Sequence, residues 1–176
     1  MTPTERKIYI DEYKVSWDYW DFKDGWRVRP ADKESIEGKV IVPTVIEGKD
    51  VKSLSWGAFR ECENITEVVI PNTVVNIDVT AFANCKNLKK VNIPESVTEI
   101  NNWTFYNCTS LEEIVLPDGI TKIGHSAFSE CINLKSINIP RMLIHFSHSS
   151  FHNCKRLKNV KFPDTFQKYL KTNTDS

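Results

Sequence analysis

Ala81-Phe82-Ala83-Asn84-Cys85-Lys86-Asn87-Leu88-Lys89-Lys90-Val91-Asn92-Ile93-Pro94 is one copy of a unit that recurs along this chain. A step of 23 residues either way from Phe82 meets phenylalanine again, at Phe59 and Phe105, and the same step continues to Phe128 and Phe151. Cysteine keeps the interval at Cys62, Cys85, Cys108, Cys131 and Cys154, and proline keeps it at Pro71, Pro94, Pro117, Pro140 and Pro163. A fixed period of this size marks a solenoid, in which each repeat is one coil stacked on the last. One coil cannot bury its own apolar face, so each column of the repeat becomes a ladder through a shared core.

The remaining columns share that register: Ile65, Leu88, Leu111, Leu134 and Leu157; Val68, Val91, Ile114, Ile137 and Val160; Ile70, Ile93, Leu116, Ile139 and Phe162. Val74, Val97, Ile120, Leu143 and Phe166 follow, then Ile77, Ile100, Ile123, Phe146 and Tyr169. The V-x-I piece alternates as a strand does, and stacked copies run parallel, about 4.8 Å apart. Proline then ends the strand, because it cannot donate to the ladder. V-x-x-I is expected to form a second short extended wall. A-F-x-x-C is expected to form a short helical or 3₁₀ turn, and Asn64, Asn87 and Asn133 suit a left-handed bend.

The A-F-x-x-C-x-x-L-x-x-V-x-I-P runs closely resemble the BspA-like (treponemal-type) leucine-rich repeat family over roughly residues 36–170. The fold read from the repeats and the resemblance is a β-rich α/β solenoid. It is a right-handed, leucine-rich-repeat-like superhelix of 23-residue coils with parallel β ladders and an N-terminal β-hairpin cap. The resemblance implies a non-catalytic protein-interaction module, associated with bacterial and protist surface proteins that adhere to host or neighbouring-cell proteins. An intracellular scaffold or regulatory subunit with one protein partner is the alternative.

Residues 1–35 fall outside the register and read as the cap, residues 36–170 as the solenoid, and residues 171–176 as a polar tail. Tyr13, Val15, Trp17 and Tyr19 alternate with polar residues, and Asp24-Gly25 before Trp26-Arg27-Val28 signals a hairpin. Five surplus residues between Pro43 and Phe59 place a widening turn near Glu47-Gly48-Lys49. Aromatic residues Phe162, Phe166 and Tyr169 would plug the last coil; otherwise that C-terminal edge is an association surface or a truncation point.

Charge and motifs narrow the function. With 23 basic and 23 acidic side chains the net charge is zero, which disfavours general nucleic-acid binding. No apolar run approaches the ~18 residues of a membrane span. Residues 1–7 show no apolar h-region, so a complete chain of this sequence would be cytoplasmic, whereas the resemblance implies a surface or secreted location. The cysteines form no C-x-x-C, and their parallel column suits buried thiols better than disulfides, metal or redox chemistry. His125, His145, His148 and His152 read as exposed loop residues of a divergent region, with a divalent-metal site as the alternative. Phosphate-loop, metalloprotease and serine-hydrolase motifs are missing, and no cofactor is expected.

Two outward rows on the strand face are the candidate partner-binding surface. Ile41, Val69, Asn92, Val115, Asn138 and Lys161 form the first; Lys39, Glu67, Lys90, Glu113, Ser136 and Asn159 form the second. Charges alternate in the second row, and apolar residues interrupt the first on a surface that should be wet. The competing reading is simple β-propensity at a sheet surface. Trp20 and Phe22 either help close the first coil or form an aromatic platform for a sugar or peptide.

Overall fold

The structure, a computed structural model, describes residues 7–158 and 160. Asn159, Lys161, Phe162, Pro163, Phe166, Tyr169 and the tail lie outside the described residues, as does the proposed C-terminal edge. The chain opens with three strands, β1 (Lys7–Ile10), β2 (Ser16–Phe22) and β3 (Gly25–Pro30). β1 and β2 are antiparallel, and so are β2 and β3. The hairpin turn is Lys23-Asp24, one residue earlier than the Asp-Gly signal suggests, with Lys23 at φ 54°. Gly25 is needed for another reason. A Cβ there would stand 2.4 Å from the Asp50 carbonyl oxygen, so only glycine lets β3 approach its neighbour.

The cap is continuous with the solenoid. β3 pairs in parallel with β6 (Lys49–Leu54), which pairs with β8 (Asn76–Ile77). The V-x-x-I wall continues as β10 (Glu99–Ile100), β12 (Lys122–Ile123) and β14 (His145–Phe146), mutually parallel. The widened first coil is a small hairpin in which β5 (Val45–Ile46) folds onto β6 through Glu47-Gly48, both at positive φ. The V-x-I wall holds β4 (Gly38–Ile41), β7 (Ile65–Val69) and β9 (Lys90–Val91) in one parallel sheet, and β11 (Glu113–Ile114) with β13 (Ser136–Ile137) in another.

The A-F-x-x-C wall is not helical, apart from one 3₁₀ turn at His148–Phe151. Its amides explain this. Ala58, Arg60 and Cys62 donate back to the carbonyls of Ser55, Gly57 and Phe59, but Phe59 and Glu61 donate across to Ala81 and Ala83 of the next coil (2.7 and 2.8 Å). Half the amides are thus diverted into an inter-coil ladder, and a helix cannot propagate. Gly57, Thr80, Trp103 and Ser126 are left-handed two places before the phenylalanine, and a further left-handed residue of each turn is Glu61, Asn84, Asn107, Glu130 or Asn153, at φ 56–65°. It stands two places after the phenylalanine, which corrects the expectation for Asn64, Asn87 and Asn133. The amides of Asn87 and Asn133 instead donate to the Glu63 and Thr109 carbonyls of the preceding coil.

The core is the set of columns read from the repeat. Phe59, Phe82, Phe105, Phe128 and Phe151 stack at centroid spacings of 5.2–5.4 Å with rings within 10° of parallel. Trp17 of the cap closes this stack edge-on at 6.0 Å from Phe59. The cysteines are all free. Each thiol of Cys85, Cys108, Cys131 and Cys154 donates to the phenylalanine carbonyl of the preceding coil, at 2.9–3.2 Å. The column therefore needs a small side chain that is apolar in bulk and can still donate one hydrogen bond, which describes a thiol. The first coil has carbonyls facing the cap with no coil to receive them. Lys33 covers two, donating to Gly57 and Arg60 oxygens at 2.5 and 3.3 Å, and burial lowers its pKa.

Candidate functional site

The outward rows lie together on the V-x-I wall, as the alternation requires. Val40, Val68 and Ile114 are buried while Lys39, Lys90, Glu113 and Ser136 are exposed. Ile41, Val69 and Glu67 are half-buried. A concavity of about 750 Å³ covers the centre of this wall, lined by Glu67, Val69, Lys90, Asn92, Glu113 and Val115 among others. The charged row pairs once: Lys39 meets Glu67 at 3.0 Å. Among the described residues Lys90 and Glu113 make no ion pair, so the expected charge ladder is not continued and both charges stay open to solvent. Ion pairing between coils runs elsewhere, through Lys86–Glu63, Lys135–Glu112 and Lys122–Glu99. All are exposed, so water screens them and they add little to stability.

Two members of the first row have structural work. Asn92 accepts from the Ile70 amide and donates to the Ile70 carbonyl, both at 2.8 Å. Asn138 does the same to Leu116, both at 2.7 Å. Each carboxamide brackets the peptide group that follows the strand of the preceding coil, where the ladder has ended but the backbone still faces its neighbour. Replacing Asn92 or Asn138 by alanine is expected to lower stability by about 1–2 kcal/mol each. Urea denaturation measures this, and a loss near zero would remove the bracket from the account.

Between these two coils the pattern fails. The position equivalent to Asn92 and Asn138 is Val115, which is 74% exposed. Among the described residues, no strand pairing links β9 to β11, and neither backbone group of Ile93 makes a hydrogen bond. The second wall also lacks pairing between β8 and β10, but there Asn101 donates to the Ile77 carbonyl at 2.8 Å. The opening beside Val115 is therefore uncovered, and it lies within the concavity.

The other candidates are placed differently. Trp20 and Phe22 are half-buried, and guanidinium groups cover them: Arg29 lies 5.7 Å from the Trp20 ring and Arg27 lies 4.5 Å from the Phe22 ring. Trp17, Tyr19 and Trp26 are buried in the cap. His125 bonds Ser149 at 2.7 Å through Nδ1 and meets Trp103 edge-on. No three His, Cys, Asp or Glu side chains gather as a metal site among the described residues. Burial pushes the Cys62 thiol up to about 11 and the Cys85, Cys108 and Cys154 thiols up as well. These thiols are held protonated in a core, unlike the low-pKa thiolates of reactive cysteines. The repeat register did not single out Trp56 and Trp103, two tryptophans exposed beside the turns. Trp103 occupies the column of Gly57, Thr80 and Ser126 at φ 54°, and a tryptophan in that column was the available signal.

Among the described residues no helix is long and apolar enough to cross a membrane. Curated proteins offer no match to this chain. Solved structures do. The chain is similar to a leucine-rich cell surface protein of Faecalibacterium prausnitzii A2-165, at 26% identity and a TM-score of 0.78, over 96% of this chain and 43% of that protein. It is also similar in fold to the leucine-rich repeat protein of T. pallidum, at 22% identity and a TM-score of 0.60, over 98% and 95% of the two chains. The pneumococcal vaccine antigen PcpA shares the fold at 19% identity and a TM-score of 0.64, over 91% of this chain and 44% of that one. The chain thus spans less than half the length of the Faecalibacterium protein. The model of the BspA-type leucine-rich repeat region, in six copies, matches residues 52–173, and by that match this chain belongs to the BspA-type leucine-rich repeat family.

Proposed function

We propose that this chain is a non-catalytic module that binds a protein partner through its V-x-I strand face, as part of a cell-surface adhesion apparatus. One observation carries the reading: an open concavity on the strand face, holding the unpaired charges Lys90 and Glu113 beside the exposed Val115. A polar rim around an apolar point is the usual anatomy of a protein-binding patch. The surface location is supported by the Faecalibacterium protein, described as a cell surface protein. Repeats of this family are typically binding modules.

The test is adhesion of the immobilised domain to extracellular-matrix proteins, wild type against Val115→Lys and Val69→Lys. Val115 is open to solvent, so its lysine variant should fold normally and bind at least about tenfold more weakly, the equivalent of about 1.4 kcal/mol. Unchanged binding by a folded Val115→Lys protein overturns the strand-face reading. Unfolding of that variant would show that the wall packs the other way round.

A further inference from the structure

Three peptide groups stand in equivalent places on the strand face, at Ile70, Ile93 and Leu116. Each follows the short strand of its coil, and at Ile70 and Leu116 the N–H and C=O face the next coil. A carboxamide from that coil takes both groups of Ile70 and both groups of Leu116. At Ile93 the residue in that place is Val115, whose side chain offers neither donor nor acceptor and stands in solvent. We propose that the uncovered peptide group of Ile93 is a recognition point for an asparagine or glutamine side chain presented by the partner protein. The inference rests on the strand-face reading and names the chemistry that the face selects.

The molecule itself shows which group fits. A carboxamide carries a donor and an acceptor side by side, the complement of one residue's N–H and C=O. Ionised aspartate or glutamate only accepts, so it would leave the Ile93 carbonyl unpaired against a negative charge. Lysine and arginine only donate, so they would leave the Ile93 amide unpaired. Leucine satisfies neither group and would cover both. A partner's carboxamide would make the contact that Asn92 and Asn138 make internally, with Val115 as an apolar shoulder for its methylene groups. Lys90 and Glu113, unpaired on the same wall, would meet charged residues on either side of it. A site built for a hydrogen-bonding group discriminates strongly against analogues that lack it.

The experiment uses the full chain and an array of immobilised heptapeptides, random except for a central Asn, Gln, Asp, Glu, Leu or Lys. Wild-type protein should be retained on Asn- and Gln-centred peptides about tenfold more than on the Asp and Glu isosteres, the selectivity that one satisfied pair can supply. Val115→Asn restores the internal bracket and should abolish that preference, with slower hydrogen exchange at the Ile93 amide showing that the bracket has closed. Val115→Ala leaves the peptide group open and should keep the preference. Absence of carboxamide preference in the wild type, or its survival in a folded Val115→Asn protein with a protected Ile93 amide, overturns the proposal. If the wild type shows no carboxamide preference while Val115→Lys still loses retention, the bracket is overturned and the strand face stands. If Val115→Lys binds as the wild type does, both readings fall.

Discussion

Raising the pH from 7.5 to 9.5 under reducing conditions is expected to destabilise this domain steeply, and the buried thiols are the cause. Burial, the main cause in each case, raises the pKa of Cys62, Cys85, Cys108 and Cys154 above that of an exposed thiol. In the unfolded chain each thiol ionises near pH ~8.5. Above that point the unfolded state binds fewer protons than the folded one, so unfolding free energy falls as pH rises. The stabilisation is fully present below the unfolded pKa and is lost on the alkaline side. Each thiol contributes about 1.4 kcal/mol per pH unit once past its unfolded pKa. Cys85 and Cys108, both completely buried, together remove about 2 kcal/mol between pH 8.5 and 9.5, where ionisation of the unfolded thiols rises from half to nearly complete, a large share of a total of roughly 5–15 kcal/mol. Cys62 and Cys154 act in the same direction. Lys33 acts in the opposite one, since its pKa is lowered by burial and its penalty is relieved as it deprotonates; it is one group against four. Urea midpoints at pH 7.5, 8.5 and 9.5 measure the slope. Cys85→Ser keeps a donor for the Phe59 carbonyl but removes an ionisable group, so its slope should be shallower by one thiol. A wild-type stability that is flat across this range would show that the thiols are not sequestered.

The periodicity made the columns legible because packing in a solenoid is a one-dimensional problem. A residue 23 places on must occupy the same site one rung higher, so Phe82 and Cys85 imply their neighbours before any coordinates exist. The hydrogen bonds between rungs were not legible in the same way. Cys85 could be read as a small buried residue, but its thiol bond to the Phe59 carbonyl spans 26 residues and depends on how one rung sits over another. Alternation with Val91 and Ile137 points Asn92 and Asn138 outward. That reading says nothing about a side chain leaning along the wall to reach backbone. A signal was present: asparagine stands at 92 and 138, and valine stands at the rung between them. Residue preference alone points to Asn64, Asn87 and Asn133 for the left-handed bend. Tertiary bonding puts it at Glu61, Asn84, Asn107, Glu130 and Asn153 instead, because the amides flanking that position must point to different coils.

Phe105→Ala should be the most damaging single change in the core, at about 3–5 kcal/mol. Phe105 is fully buried, and its ring lies between Phe82 at 5.2 Å and Phe128 at 5.3 Å, within 3° and 9° of parallel. Truncation removes the transfer free energy of a whole ring, opens a cavity between two rigid rungs, and deletes two aromatic contacts of about 0.5–1.5 kcal/mol each. Neighbouring rungs cannot close the gap, because the Phe105 amide is tied to Ala127 at 2.8 Å and the Phe82 amide to Thr104 at 2.9 Å. Phe151, only half-buried, should lose distinctly less on the same substitution. The position also matters through the architecture. Stability in a stacked array is close to a sum of rung and nearest-neighbour terms, so weakening the middle rung uncouples the two ends. On this account Phe105→Ala lowers the urea dependence of unfolding as well as the midpoint, as the transition splits in two. A loss below about 2 kcal/mol with one undivided transition would mean that the phenyl column fills space without coupling the rungs.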